Sequence, residues 1–205
     1  MIRRTVRDFG RAGIPACQVW CGNMDQISVT RRKLPHWTLD GSLYFVTFRT
    51  NRGELSIQER AVVMEHLVSG DPKYYELIAA VVMPDHVHML IKPKEGVTLS
   101  RIMKGIKGVS ARKINIIRQT RMSGPPTGMS GPPEEISGLI NDSTVWQDES
   151  FDRIVRDQEE FVEKLCYMYH NPVKKGLAQD PASYPGWYRK KNGGAGIPAC
   201  HKSNA

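Results

Sequence analysis

Apolar and polar positions along the chain change their period several times, and each change marks the edge of an element. The run Leu43-Tyr44-Phe45-Val46-Thr47-Phe48-Arg49-Thr50 is rich in β-formers and predicts a first strand. Ser56, three residues ahead of Glu59, supplies a capping box for a helix running to about residue 68, with Ala61, Met64 and Leu67/Val68 as its apolar stripe. Gly70-Asp71-Pro72 ends it. Residues 74–83 then predict a second strand, Pro84-Asp85 a turn, and residues 86–92 a third strand returning antiparallel beside the second. From Leu99 the period becomes helical and stays so: Ile102, Met103, Ile106, Val109, Ile114 and Ile117 share one side, with Arg and Lys mostly on the others. Residues 122–140 are dense in Pro, Gly and Ser and read as a loop. Residues 144–147 suggest a short strand, residues 151–156 a helical turn, and a last helix is predicted from Glu159 to about His170, with Phe161, Leu165 and Met168 as its core stripe.

The order strand, helix, strand, strand, helix, strand predicts an α+β domain: a ferredoxin-like split β-α-β sandwich, its antiparallel sheet covered by helices on one face. The predicted domain spans residues 31–188, with a loop insertion at about 122–140. Residues 1–30 read as a flexible N-terminal arm and 189–205 as a flexible tail. Ala-Gly-Ile-Pro-Ala-Cys occurs in both, at 12–17 and 195–200. Its first five residues can be encoded by a DNA palindrome, so our hypothesis is that the peptide is a by-product of repeated DNA at the gene ends; codons without inverted symmetry there would refute it.

At 205 residues and 40% hydrophobic the chain can bury one core. The formal charge of +8 and a pI of about 9.4 favour a polyanionic partner, nucleic acid first. No apolar run approaches the ~20 residues that span a bilayer, and Arg3-Arg4 is not followed by a signal-type stretch, so a cytoplasmic protein with no membrane partner is expected. Cys17, Cys21, Cys166 and Cys200 complete no zinc tetrad within a folded segment; reduced thiols are the expectation.

Chemistry concentrates in two places. His86-Val87-His88 lies within an apolar strand run, and period two puts both imidazoles on one face, as a metal site or as a pair of half-exposed surface residues. On the last helix Tyr167 and Asn171 stand one turn apart, away from the stripe of Phe161, Leu165 and Met168. Two imidazoles and an amide oxygen suit a divalent cation with open positions for a phosphate oxygen. A phenolate oxygen attacking that phosphorus forms a phosphotyrosine ester, which conserves the phosphodiester bond energy and lets the step reverse onto another DNA end.

MPDHVHMLI, followed far downstream by YMYHNPVKKGL, resembles the single-tyrosine HUH transposases of small insertion sequences, and most of all their REP-associated tyrosine transposase branch. The resemblance covers about residues 31–187, including LPHWTLDGSLYFVTFRT, the long basic helix and VWQDESFDRIVRD. It implies Mg²⁺ or Mn²⁺ as cofactor, cleavage of single-stranded DNA near an imperfect hairpin, a 5′-phosphotyrosine intermediate and a free 3′-hydroxyl. Residue by residue, it makes His86 and His88 metal ligands, Asn171 the third ligand and Tyr167 the nucleophile, with Tyr169 the competing tyrosine. Lys104, Lys107, Arg112, Lys113, Lys174 and Lys175 become candidates for phosphate contacts, and Arg31, Arg32 and Trp37 for base reading. The Pro-rich insertion and both tails depart from the pattern. A monomer and a homodimer both fit, as does a tyrosine serving its own or a partner's histidines. The alternative function is a catalytically silent nucleic-acid-binding regulator with the same fold; covalent chemistry separates the two.

Overall fold

The computed structural model describes residues 28–31, 35–38, 41–122 and 144–190. The repeated tail peptides and the Pro-rich segment lie outside the described residues, as does Arg32. Strands β1 (Ser28–Arg31) and β2 (Pro35–Thr38) form a small antiparallel hairpin. There follow β3 (Tyr44–Thr50), α1 (Ile57–Ser69), β4 (Tyr75–Val82), β5 (His86–Pro93), α2 (Leu99–Met122), β6 (Trp146–Ile154), α3 (Gln158–Lys174), a 3-10 turn (Pro181–Ser183) and β7 (Trp187–Arg189). The main sheet is antiparallel in the order β6-β3-β5-β4-β7. Without β7 this is the split β-α-β arrangement, each β-α-β unit leaving a gap that the other fills.

The local signals that set α1 act as expected. Ser56 Oγ accepts from the Glu59 amide at 3.3 Å and Glu59 Oε2 accepts from the Ser56 amide at 2.7 Å. The buried stripe is centred on Val63 and Leu67, with Met64 and Val68 partly buried and Ala61 exposed. Pattern reading shifted it because Glu59 shares the buried face: its carboxylate takes the guanidinium of Arg118 from α2 at 2.7 Å. At the far end, a Cβ on Gly70 would collide with the Tyr75 ring, whose hydroxyl donates to Leu67 O at 2.7 Å.

Helices cover both faces of the sheet, where one was expected. Residues of α1 and α2 pack with Tyr44, Val46, Phe48, Val87, Met89 and Ile91 on one side. Leu165 and Met168 of α3 pack with Phe45, Ala79, Val81 and Leu90 on the other. The middle strands record this as nearly continuous burial along β4 and β5, the signature of a strand covered twice.

Two further elements differ from expectation. In place of a short strand and a helical turn, residues 146–154 form one edge strand paired with β3. Its polar stretch is held by long-range partners: Lys107 Nζ of α2 donates to the carbonyls of Gln147, Asp148 and Glu149 at 2.9, 2.9 and 3.1 Å, where the β3–β6 register slips. Helix α3 starts at the Asp157 cap and runs through Pro172 to Lys174, so Asn171 lies inside it and does not terminate it. Cys166 is disulfide-bonded, against the expectation of free thiols. Among the described residues no helix is long and apolar enough to cross a membrane.

Candidate active site

His86 and His88 project from β5 toward α3, four per cent and five per cent exposed, with ring centroids 4.5 Å apart. Each imidazole is fixed through Nδ1. That of His86 donates to Asp85 Oδ1 at 2.6 Å, and that of His88 lies 2.7 Å from Thr47 Oγ1, its Cα partner on β3. The Asp85 carboxylate can only accept, so His86 carries its proton on Nδ1 and its lone pair on Nε2; His88 has the same arrangement when its Nδ1–H donates to the Thr47 hydroxyl. His88 Nε2 is buried and has no hydrogen-bond partner among the described residues. His86 Nε2 faces the side-chain amide of buried Asn171 at 3.5 Å, and a half-turn of that amide presents its oxygen instead. Burial pushes both imidazoles below the ordinary histidine value, His88 to about 3 with the charges of His86 and Arg49 adding to the effect. Both are therefore neutral, the form that ligates metals.

Tyr167 comes from α3 of the same chain. Its ring meets His88 edge-on at 5.2 Å and Phe45 at 6.4 Å, while 44% of the residue stays exposed. Tyr169 points elsewhere, its ring against His170 and Trp187 at 5.2 and 5.4 Å. The sequence-predicted group His86, His88, Tyr167 and Asn171 is thus brought together. Among the described residues no three His, Cys, Asp or Glu side chains converge as a metal cluster; the side-chain amide facing His86 Nε2 is that of Asn171.

The predicted basic residues divide. Lys175, just past α3, is close enough for its charge to act on His86. Lys174 is its exposed neighbour. Lys104, Lys107, Arg112 and Lys113 sit on α2, which packs on the opposite face of the sheet. Lys107 is there engaged with β6. Arg31 and Trp37 lie in β1 and β2, and β2 runs beside β6. Sequence reading missed Arg49, an exposed guanidinium directly across from His86 in the β3–β5 pairing, whose charge acts on Asp85 and both histidines. Strand alternation from Thr47 would have placed it on this face once the register was known.

Residues 47–123, which carry the two imidazoles on the central strand of this sheet, match the model of the family described as Transposase IS200 like. The match takes in both histidines and stops short of Tyr167. More narrowly, the chain is similar to proteins named as REP-associated tyrosine transposases. It is 24% identical over 111 residues to a Haemophilus influenzae protein named for that group, covering 54% of this chain and 57% of that one. The chain therefore spans somewhat over half the length of this curated relative. Among solved structures, a REP-associated tyrosine transposase bound to a REP hairpin shares the fold, with TM-score 0.54 and 18% identity over 77% of this chain and 82% of that one.

Proposed function

We propose that the protein is a metal-dependent nickase and strand transferase acting on single-stranded DNA at REP-like hairpins. The observation that carries this reading is the buried, unpartnered Nε2 of His88 beside the Tyr167 ring. His86, His88 and the Asn171 oxygen would hold Mg²⁺ or Mn²⁺: the donor set is neutral, fixed from behind and open toward Tyr167. Bound there, such an ion would polarise a phosphodiester oxygen as a Lewis acid. Arg49 and Lys175 add fixed positive charge along the same face, which favours an approaching phosphate.

The covalent step balances within the chain and its substrate. A Tyr167 Oη–phosphorus bond forms, the phosphorus–O3′ bond breaks, the phenolic proton leaves through the exposed side of the ring, and the 3′-oxygen departs as a hydroxyl. Because one phosphodiester replaces another, attack by a second 3′-hydroxyl reverses the step and joins a new strand. The hairpin substrate is supported by likeness to the REP-hairpin-bound structure.

The test is a denaturation-resistant protein–DNA adduct formed with a single-stranded hairpin oligonucleotide and Mn²⁺. We expect the adduct with the natural chain and with Tyr169→Phe, and none with Tyr167→Phe. Binding with no adduct from the natural chain would instead mark a silent DNA-binding protein.

A further inference from the structure

Phe151 is a large apolar side chain on an edge strand, 52% exposed. Its place in the register is specific. It pairs with Thr47, and Thr47 pairs with His88, so the three stand in one row across β6, β3 and β5. Directly opposed residues of antiparallel strands share a face, which puts Phe151 on the face of the histidines and Tyr167. With strands spaced ~4.8 Å apart, its Cα lies roughly 10 Å from that of His88, about the reach of one nucleotide. Phe45, diagonal to Phe151 on β3, lies beneath the Tyr167 ring. One residue beyond Thr47 on the same face is Arg49, exposed and across from His86. The row thus runs from the candidate ligands, past a polar Thr47, to an exposed aromatic face, with a cation alongside.

Cohesion of the sheet does not explain this ring. Its neighbour two along, Arg153, bonds Glu160 of α3 and ties the strand to the helix, whereas Phe151 packs into neither apolar cluster of the core. An aromatic face at one-nucleotide distance from a phosphate site, on a chain of charge +8, is the arrangement that single-strand binders use to stack a base while cations hold the backbone.

We propose that Phe151 is the stacking platform for the base next to the cleaved phosphate, with Arg49 on the intervening phosphate. The unpaired strand then crosses the sheet from β5 over β3 to the β6 edge. This rests on the strand-transferase reading and adds to it a path and a specificity-determining residue that touches substrate.

The experiment uses full-length Tyr167→Phe protein, which binds without cutting, and a DNA hairpin with an unpaired thymidine arm, made abasic at each arm position in turn; affinity is read by fluorescence anisotropy. We expect one arm position at which base removal weakens binding about tenfold. Phe151→Ala should show that same loss on the intact arm and no further loss at that position, while Phe151→Trp should bind as the parent does. The proposal is overturned if Phe151→Ala binds the intact arm like the parent, or if it weakens binding equally at every abasic position. The strand-transferase reading fails separately, by the absence of an adduct when Tyr167 is present.

Discussion

Replacing Asp85 with Asn tests whether the histidine pair is built for a cation. The Asp85 carboxylate receives His86 Nδ1–H at 2.6 Å, and that bond both orients the ring and raises the donor strength of Nε2. The backbone of Asp85 is held independently, since its carbonyl accepts from the Thr50 amide at 2.9 Å and from Thr50 Oγ1 at 3.2 Å. The substitution therefore leaves the turn in place and changes mainly the charge behind His86. Loss of such a partner costs about 10- to 100-fold in metal affinity. The Asp85 side chain is 46% exposed, so solvent already weakens its field and the lower end applies, about tenfold or ~1.4 kcal/mol. Two readouts follow. Half-saturating Mn²⁺ for adduct formation should rise about tenfold with the plateau rate nearly kept, and the Mn²⁺-induced increase in melting temperature should shrink at fixed metal. Thr47→Ala should shift both in the same direction through His88. An unchanged half-saturation in Asp85→Asn, alongside an unchanged metal effect on melting, would refute the reasoning.

The other expectations concern stability. Ser110 is fully buried, accepts from Trp146 Nε1 at 2.9 Å and donates to Ile106 O at 2.5 Å; Ser110→Ala strands the indole N–H and should cost about 1–3 kcal/mol in urea unfolding, with little loss meaning that the indole finds another partner. Burial pushes the Glu59 carboxyl up, but hydrogen bonds from Arg118 and Ser56 outweigh it and hold the group below its ordinary value. A lowered folded value gives stability that is present above the ordinary carboxylate range and is lost as pH falls through the folded value. Glu59→Gln should therefore destabilise the protein at neutral pH and progressively less toward acid; a penalty independent of pH would show that only shape is at stake.

The fold was legible where local chemistry and burial agree. The β4–β5 hairpin follows from two runs of β-formers around Pro84-Asp85, and the start of α1 from its capping box. Strand β6 was not, because QDESFDR carries weak strand propensity and is held there by pairing with β3 and by Lys107, a residue some forty positions earlier in the chain. The second helical layer was hidden for a different reason. Period tells which residues of a helix share a side, but not which face of the sheet that side meets; hence the α2 lysines, grouped with the site in sequence, lie across the sheet from it. The candidate site divides the same way. His86 with His88, and Tyr167 with Asn171, are short-range pairs at periods two and four. Thr47, Arg49 and Phe151 enter only through cross-strand register, which no single strand records.

Phe45 shows how the two halves of the site are made one. The family match ends at residue 123, so it contains the histidines but not the tyrosine, and the link between them is tertiary. The Phe45 ring stacks on His88 at 5.4 Å, meets Tyr167 edge-on at 6.4 Å, and has Lys164 Nζ over it at 5.9 Å. On the same helix Leu165 and Met168 are fully buried against the sheet, which fixes the rotation that turns Tyr167 toward the histidines and Asn171 onto His86. The two sets of groups differ in exposure as their proposed tasks require. Ligand imidazoles must stay neutral, and burial keeps them so; a nucleophile must be reached by a DNA strand, and Tyr167 remains nearly half exposed. Within this one chain Tyr167 and His88 meet around the Phe45 ring, with His86 beside His88.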